Sequence, residues 1–322
     1  MSRVLTGDKL VESIRNRAMI PDDTSVYTDD NLLDIANEEL DVQLLDKLLS
    51  LHEEHLTTHI DIPRSETGVY NIPYRAIGNK LRDIQMFTGG SNYELAQISL
   101  GELSDYTYDS STQNYGMDKF YVESNQIKLL QPTRTYDFIR VYFYIRPNVL
   151  TKVEKAGVIS SITKDELNDE LVVNFTTMPS NFTSNLSYDL VGFRSPNKIK
   201  AYDLTAKEVN TGTKTMKFVL SELTEVADDL IVGDYVCEAE QSPVPNIPTE
   251  MHPVLAQLAA VHVLEAMGDT EGLNNAQRRL DKMNSSVMSL VDDRVELAPK
   301  KIKPRNGTIS ETRNTSRRRR GR

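Results

Sequence analysis

The stretch Phe138-Ile-Arg-Val-Tyr-Phe-Tyr-Ile145 is made almost entirely of β-branched and aromatic residues, with one arginine. Such side chains suit a pleated, half-buried surface, and this run of them reads as a central β-strand. Pro147 closes it, because proline cannot donate to a strand ladder. Upstream, Leu81–Phe87, Phe120–Glu123 and Gln126–Leu130 are further strand candidates. Thr58–Ile62 and Val69–Ile72 alternate on either side of the turn residues Pro63–Gly68, which predicts a hairpin. The polar, tyrosine-bearing stretch Tyr106–Gly116 reads as a surface loop. Downstream, Ala156–Ile162, Leu171–Phe175, Leu190–Phe193, Met216–Leu220 and Asp234–Ala239 are separated by turn-rich spacers. That spacing predicts a small barrel or sandwich.

Outside this β region the period changes to that of a helix. Gly7–Met19 places Leu10, Val11 and Ile14 on one face, and Pro21 breaks it. Thr28 or Asp29 is the expected N-cap of a helix running to about His55, with Leu33, Ala36, Leu40, Leu44, Leu48 and Leu51 as its stripe. After the proline-rich Pro243–Pro248, Pro253 fits a first helical turn; Leu255, Leu258, Ala259, His262 and Ala266 form one face, and Gly268 ends the helix. A last helix is expected from about Thr270 to Arg294. Leu273, Ala276, Leu280, Met283, Val287 and Leu290 step by threes and fours along it, a narrow seam suited to packing on another helix or a neighbouring subunit. The fold class is therefore α+β. Terminal helices (1–56 and 246–298) pack into an α-helical bundle. A first β region (57–150) and an inserted barrel- or sandwich-like domain (151–245) lie between them, and a basic C-terminal tail (299–322) extends beyond.

Composition narrows the function. The 322 residues carry a formal net charge of −10. Lys300–Arg322 holds ten Lys or Arg against the single acid Glu311, a net of +9, which leaves −19 on the preceding 299 residues. No run approaches the ~18 apolar residues of a membrane helix. The N-terminus lacks the apolar core of a signal peptide, so a soluble protein made in a cytoplasm, with no membrane partner, is expected. Cys237 is the only cysteine, which excludes an intramolecular disulfide and a cysteine-based zinc cluster; in an alternating strand it reads as a small buried hydrophobe. His52-Glu53-Glu54-His55, with His59 beyond, has histidines at i, i+3 rather than the i, i+4 of a zinc protease, and reads as a solvated helix end. Thr6-Gly7-Asp8-Lys9 lacks phosphate-loop spacing, and no nucleophile elbow is present. Neither catalytic residues, nor a metal site, nor a cofactor is expected. The basic tail, Lys303, Arg305, Arg313, Arg317, Arg318, Arg319, Arg320 and Arg322, could pair with carboxylates of a protein partner, neutralise nucleic-acid phosphates, or simply be a solubilising end. The acidic body suits a wall past which DNA slides without sticking.

Several phrases resemble the head–tail connector (adaptor, neck) proteins of tailed bacteriophages. These are Asp29-Asp-Asn-Leu-Leu-Asp-Ile-Ala-Asn37, the run from His59-Ile-Asp-Ile62 through Tyr70-Asn-Ile-Pro-Tyr-Arg-Ala-Ile-Gly-Asn-Lys-Leu-Arg-Asp83, Ile247-Pro-Thr-Glu-Met-His-Pro-Val-Leu255, and Met267-Gly-Asp269 before the long last helix. Together they cover about half the chain, and the helix–β–helix–tail order carries most of the likeness. The resemblance implies a non-enzymatic virion protein, assembled in the host cytoplasm, that forms a homo-oligomeric, twelve-fold ring under the portal. It implies that the tail docks on the portal protein, that the β region meets downstream tail or nozzle proteins and fibres, and that genomic DNA passes through the lumen without sequence-specific binding. The 151–245 insertion departs from the minimal connector pattern. The alternative is another tail component, a nozzle or baseplate protein whose β domains bind fibres or a cell-surface glycan.

Overall fold

The structure, a computed structural model, describes residues 4–21, 26–51, 53–103, 119–130, 135–194, 197–223 and 226–291, with side chains described to 287. It is mixed α+β. Helices α1 (Gly7–Ala18), α2 (Asp29–Glu39) and α3 (Leu45–Leu51) precede the strands; α4 (His252–Met267) and α5 (Thr270–Val291) follow them. Thr28 caps α2, its Oγ1 accepting from the Asn31 amide at 3.2 Å. The helix expected to reach His55 is interrupted: Leu40–Leu44 is a π-helical turn between α2 and α3, and Glu53–His55 is a single 3₁₀ turn. The inserted residue lets Leu40, Leu44, Leu45 and Leu48 all stay buried where an unbroken helix would rotate some of them out.

One apolar core joins both sets of helices. Leu10 and Ile14 of α1, Leu32 and Ala36 of α2, and Leu255, Ala259 and Val263 of α4 are buried together in it. The sequence expectation of one apolar face on α4 is corrected. Val254 through Ala260 are all buried, whereas Ala266 is exposed, so α4 is the helix around which the others pack. Its left-handed C-cap at Gly268 (φ 72°) turns the chain back into α5.

The first β region is a two-layer packing. One sheet has the order β1 (Thr57–Pro63), β8 (Phe138–Ile145), β3 (Ala76–Thr88), β4 (Ser91–Glu94). The other runs β2 (Val69–Asn71), β7 (Gln126–Leu129), β6 (Lys119–Glu123), β5 (Ala96–Gln97). Strand β8 is central, as its composition predicts. Ile139, Val141, Phe143 and Ile145 point into the shared core, and the residues between them are half-buried on the other face. The predicted hairpin does not form. β1 pairs with β8 and β2 with β7, so the two segments lie in different sheets, and the Pro63–Gly68 turn crosses between layers. The ladder supplies Asp61 with a partner directly opposite, Arg140, which grips it through Nε and Nη2 at 2.7 and 2.8 Å.

The later strands form one antiparallel seven-stranded sheet, β13 (Ile199–Thr205), β12 (Ser187–Val191), β16 (Tyr235–Glu238), β10 (Gly157–Asp165), β11 (Glu170–Thr177), β15 (Thr215–Val219), β14 (Glu208–Asn210). It is open rather than a closed barrel, because β13 pairs only with β12 and β14 only with β15. One core, centred on Tyr188, Leu190, Val173 and Phe218, is nevertheless shared across the strands, so the sheet curls around its own apolar face. Strand β13 is missed by the sequence reading: Lys198–Thr205 has little alternation, because Ala201 and Leu204 pack on this core while Ile199 and Tyr202 pack on the neighbouring one. The stretches before and after the sheet, β9 (Val149–Leu150) and β17 (Gln241–Ser242), pair in parallel.

Phe143 is fully buried and meets the Tyr202 ring edge-on at 6.3 Å. Phe143→Ala is expected to cost about 3–5 kcal/mol of unfolding free energy, against about 1 kcal/mol or less for the outward-facing Tyr142→Ala; urea unfolding of both variants measures the difference.

Candidate functional site: a polar junction and the assembly surfaces

A buried polar knot joins the two β units. Asp189, on β12, is wholly buried, and both carboxylate oxygens are used. Oδ2 accepts from Arg75 Nη2 (2.8 Å), Asn148 Nδ2 (2.7 Å) and the Glu240 amide (3.0 Å); Oδ1 accepts from the Asp203 amide (2.9 Å). Arg75, its side chain 3% exposed, also donates to Asn148 Oδ1 (2.5 Å) and Asp203 Oδ1 (3.2 Å). Burial works against its charge, but the two carboxylates outweigh that and hold the guanidinium pKa above its ordinary value. The Arg75 carbon sits 5.8 Å from the centroid of Tyr202, and the Tyr74 hydroxyl donates to Asp203 at 2.7 Å. Burial, and the Asp203 carboxylate it faces, push that phenol up to about 12. Beside the knot lies a recess of about 170 Å³ bounded by Asp41, Arg146, Tyr74 and Val149. Burial raises the Asp41 carboxyl there, and Arg146 opposes the rise.

A second chain of bonds ties the sheets to the helices. Asn246 Oδ1 accepts from the Asn148 amide, and Asn246 Nδ2 donates to the Asn197 carbonyl, each at 3.1 Å. His252, buried at the start of α4, accepts the Leu5 amide at Nδ1 (3.2 Å). Its proton therefore sits on Nε2, which donates to the Ile247 carbonyl (3.2 Å) and to the Asn197 side-chain oxygen (3.1 Å). Desolvation lowers its pKa to about 4. At the neck of the seven-stranded sheet, the Asn37 carboxamide of α2 completes the edge of β9, accepting from Leu150 N (2.8 Å) and donating to Leu150 O (3.4 Å). Gly7 is required beside it, because a Cβ there would lie 2.2 Å from the Thr151 carbonyl oxygen.

Along α5, Ala276 is buried in the helical core, and Leu273, Leu280, Met283 and Val287 are partly buried against it. The Leu290 side chain lies outside the described residues, as do Lys303, Arg305, Arg313, Arg317, Arg318, Arg319, Arg320 and Arg322 and the Tyr106–Gly116 loop. The histidine stretch is corrected. His55 is buried rather than solvated, His59 belongs to β1 with its ring 5.5 Å from that of Tyr142, and Glu53 and Glu54 ion-pair with Arg82. Cys237 is buried, and burial pushes its thiol well up. Sequence reasoning missed Arg75, Asn148 and Asp189; the one local signal was an aspartate set among Tyr188, Leu190 and Val191. Comparison with protein-family models and with curated proteins finds no match.

Two outcomes follow from this geometry. Asp189→Asn leaves a buried guanidinium short of its main counter-charge and should cost about 3–5 kcal/mol, whereas Asp203→Asn, at a part-exposed carboxylate, should cost about 1 kcal/mol. Chemical denaturation of both variants checks the ordering. His252 stays neutral in the folded chain down to about pH 4, while in the unfolded chain it takes a proton near pH 6.5. Its contribution is thus complete above pH 6.5 and is lost as pH falls towards 4, by about 3 kcal/mol in all. Urea midpoints at pH 7, 5.5 and 4.5 should fall in that order, and His252→Gln should flatten the trend.

Proposed function

We propose that this chain is a structural virion protein, a head–tail adaptor that forms a ring under the portal of a tailed phage. In this reading it joins capsid to tail around a DNA channel, with twelve copies as the expected ring size. The observation that carries the proposal is the packing of α1, α2 and α4, from opposite ends of the chain, into one core with the sheets inserted between them. That arrangement matches the helix–β–helix–tail order of the connector resemblance. In this reading neighbouring copies meet through the helical body, and the sheets held by the Asp189 knot meet tail or nozzle proteins. The charge split supports the same reading: an acidic body that repels duplex DNA, and a basic end that needs an acidic partner. The protein would act in the virion, without catalysis, metal or cofactor. A nozzle or baseplate role in fibre or glycan binding would rest on a surface aromatic platform; the Phe182–Tyr188 and Tyr188–Phe218 ring pairs lie instead within the sheet core.

Electron microscopy of the purified protein with and without portal tests this directly. Rings, or a ring-shaped density bound to portal, are expected; a strict monomer that never binds portal overturns the proposal. Removing Arg313–Arg322 should weaken portal binding by about tenfold or more, as expected when several charge-assisted contacts are lost. It should leave the thermal midpoint unchanged, because the segment contains no apolar side chain able to join a core.

A further inference from the structure

Between α1 and α5 the acidic body carries a cleft of the opposite sign. It has a volume of about 510 Å³ and is bounded by Leu5, Lys9, Glu12, Arg17, Met19 and Arg279. Arg17 is half-buried. It donates through Nε to Ser13 Oγ (3.2 Å) and through Nη1 to Gln257 Oε1 (2.7 Å), with Met283 Sδ at 3.8 Å, all neutral acceptors. Burial, and then the positive charge of Arg279, lower its pKa. Among the described residues, no carboxylate forms an ion pair with Lys9, Arg17 or Arg279, and Glu12 is the one acid in the wall. The half-buried Arg140, by contrast, is paired with Asp61 at 2.7 Å. Among the described residues, the Arg17 guanidinium is held by neutral groups beside a second guanidinium, with no carboxylate paired to it.

The rim says which anion. Met19 stands 88% exposed at the mouth, in a left-handed conformation (φ 55°), and Leu5 lines the wall. Arginine and methionine around an apolar lip are what protein interfaces enrich. The same chain displays the complement elsewhere. On α2, Asp34 and Glu38 are exposed, one turn apart, with no ion-pair partner among the described residues, and Val42, 70% exposed, follows them on the π turn. We propose that the Asp34–Glu38–Val42 face of one copy docks in the Lys9–Arg17–Met19–Arg279 cleft of the next. The carboxylates meet the cations, and Val42 meets Met19. The two surfaces differ, so the contact is head-to-tail, and repetition with a closing rotation gives a ring. This rests on the ring reading above and names the surfaces that would build it.

The test is a charge swap in the full chain, read by sedimentation velocity and electron microscopy, with portal present if assembly needs it. Lys9→Glu with Arg279→Glu, and separately Asp34→Lys with Glu38→Lys, change only exposed side chains; circular dichroism melts within about 2 °C of the parent confirm folding. Each pair should weaken copy-to-copy association at least tenfold. Mixing the two variants, or placing all four changes in one chain, should restore it, because every contact then again joins opposite charges. Variants that assemble like the parent overturn the docking proposal and leave the ring standing; a parent that never assembles overturns both. Loss of duplex-DNA binding in Lys9→Glu/Arg279→Glu, with assembly unchanged, would reassign the cleft to phosphate and also overturn it.

Discussion

The carboxylate of Asp189 is the point on which the β architecture turns. It receives four hydrogen bonds, from a residue ahead of β3, a residue between β8 and β9, the β13 backbone and the amide just before β17. Taking an aspartate and an arginine out of water costs several kcal/mol each, and only near-complete pairing recovers it. The geometry is therefore all-or-none. If any one of the four segments moves by an ångström or so, a buried charge loses a partner. Apolar packing between Tyr202 and Phe143 would allow the two β units to slide; the ionic knot specifies one relative placement.

The helices depend on the same logic at one remove. Asn148, which shares the knot, donates its amide to Asn246, which donates to the Asn197 carbonyl, and Asn197 in turn meets His252 at the first turn of the most buried helix. Asn37 ties α2 to the parallel β9–β17 neck. The chain thus enters and leaves the seven-stranded sheet through a two-stranded clasp held by a helix. Such a clasp carries orientation from α2 to the seven-stranded sheet through hydrogen bonds.

Much of this was legible in the residues. The composition of Phe138–Ile145 announced a central strand, and the burial of alternate residues along it shows why. Thr28, Pro253 and Gly268 marked helix ends because capping is a local, backbone-level requirement. What misled was any element whose partner lies far along the chain. Thr58–Ile62 and Val69–Ile72 looked like a hairpin because alternation reports a strand but not the strand it pairs with. Strand β13 hid because its side chains are divided between two cores, which destroys a simple period. The face proposed for α4 was too narrow, because a helix surrounded by others loses its polar side.

The sequence by itself determined that this is an α+β chain with helices flanking strands, an acidic body and a basic end. These are properties of local pattern and of charge, which need no partner to exist. Only the tertiary structure decided that Asp189, Arg75 and Asn148 are one site, that Asn37 completes a strand edge, and that Lys9, Arg17 and Arg279 line one cleft with no ion-paired carboxylate among the described residues. Arg17 and Arg279, far apart along the chain, meet there. Electrostatic energy depends on distance and burial, and neither is written in the order of the residues.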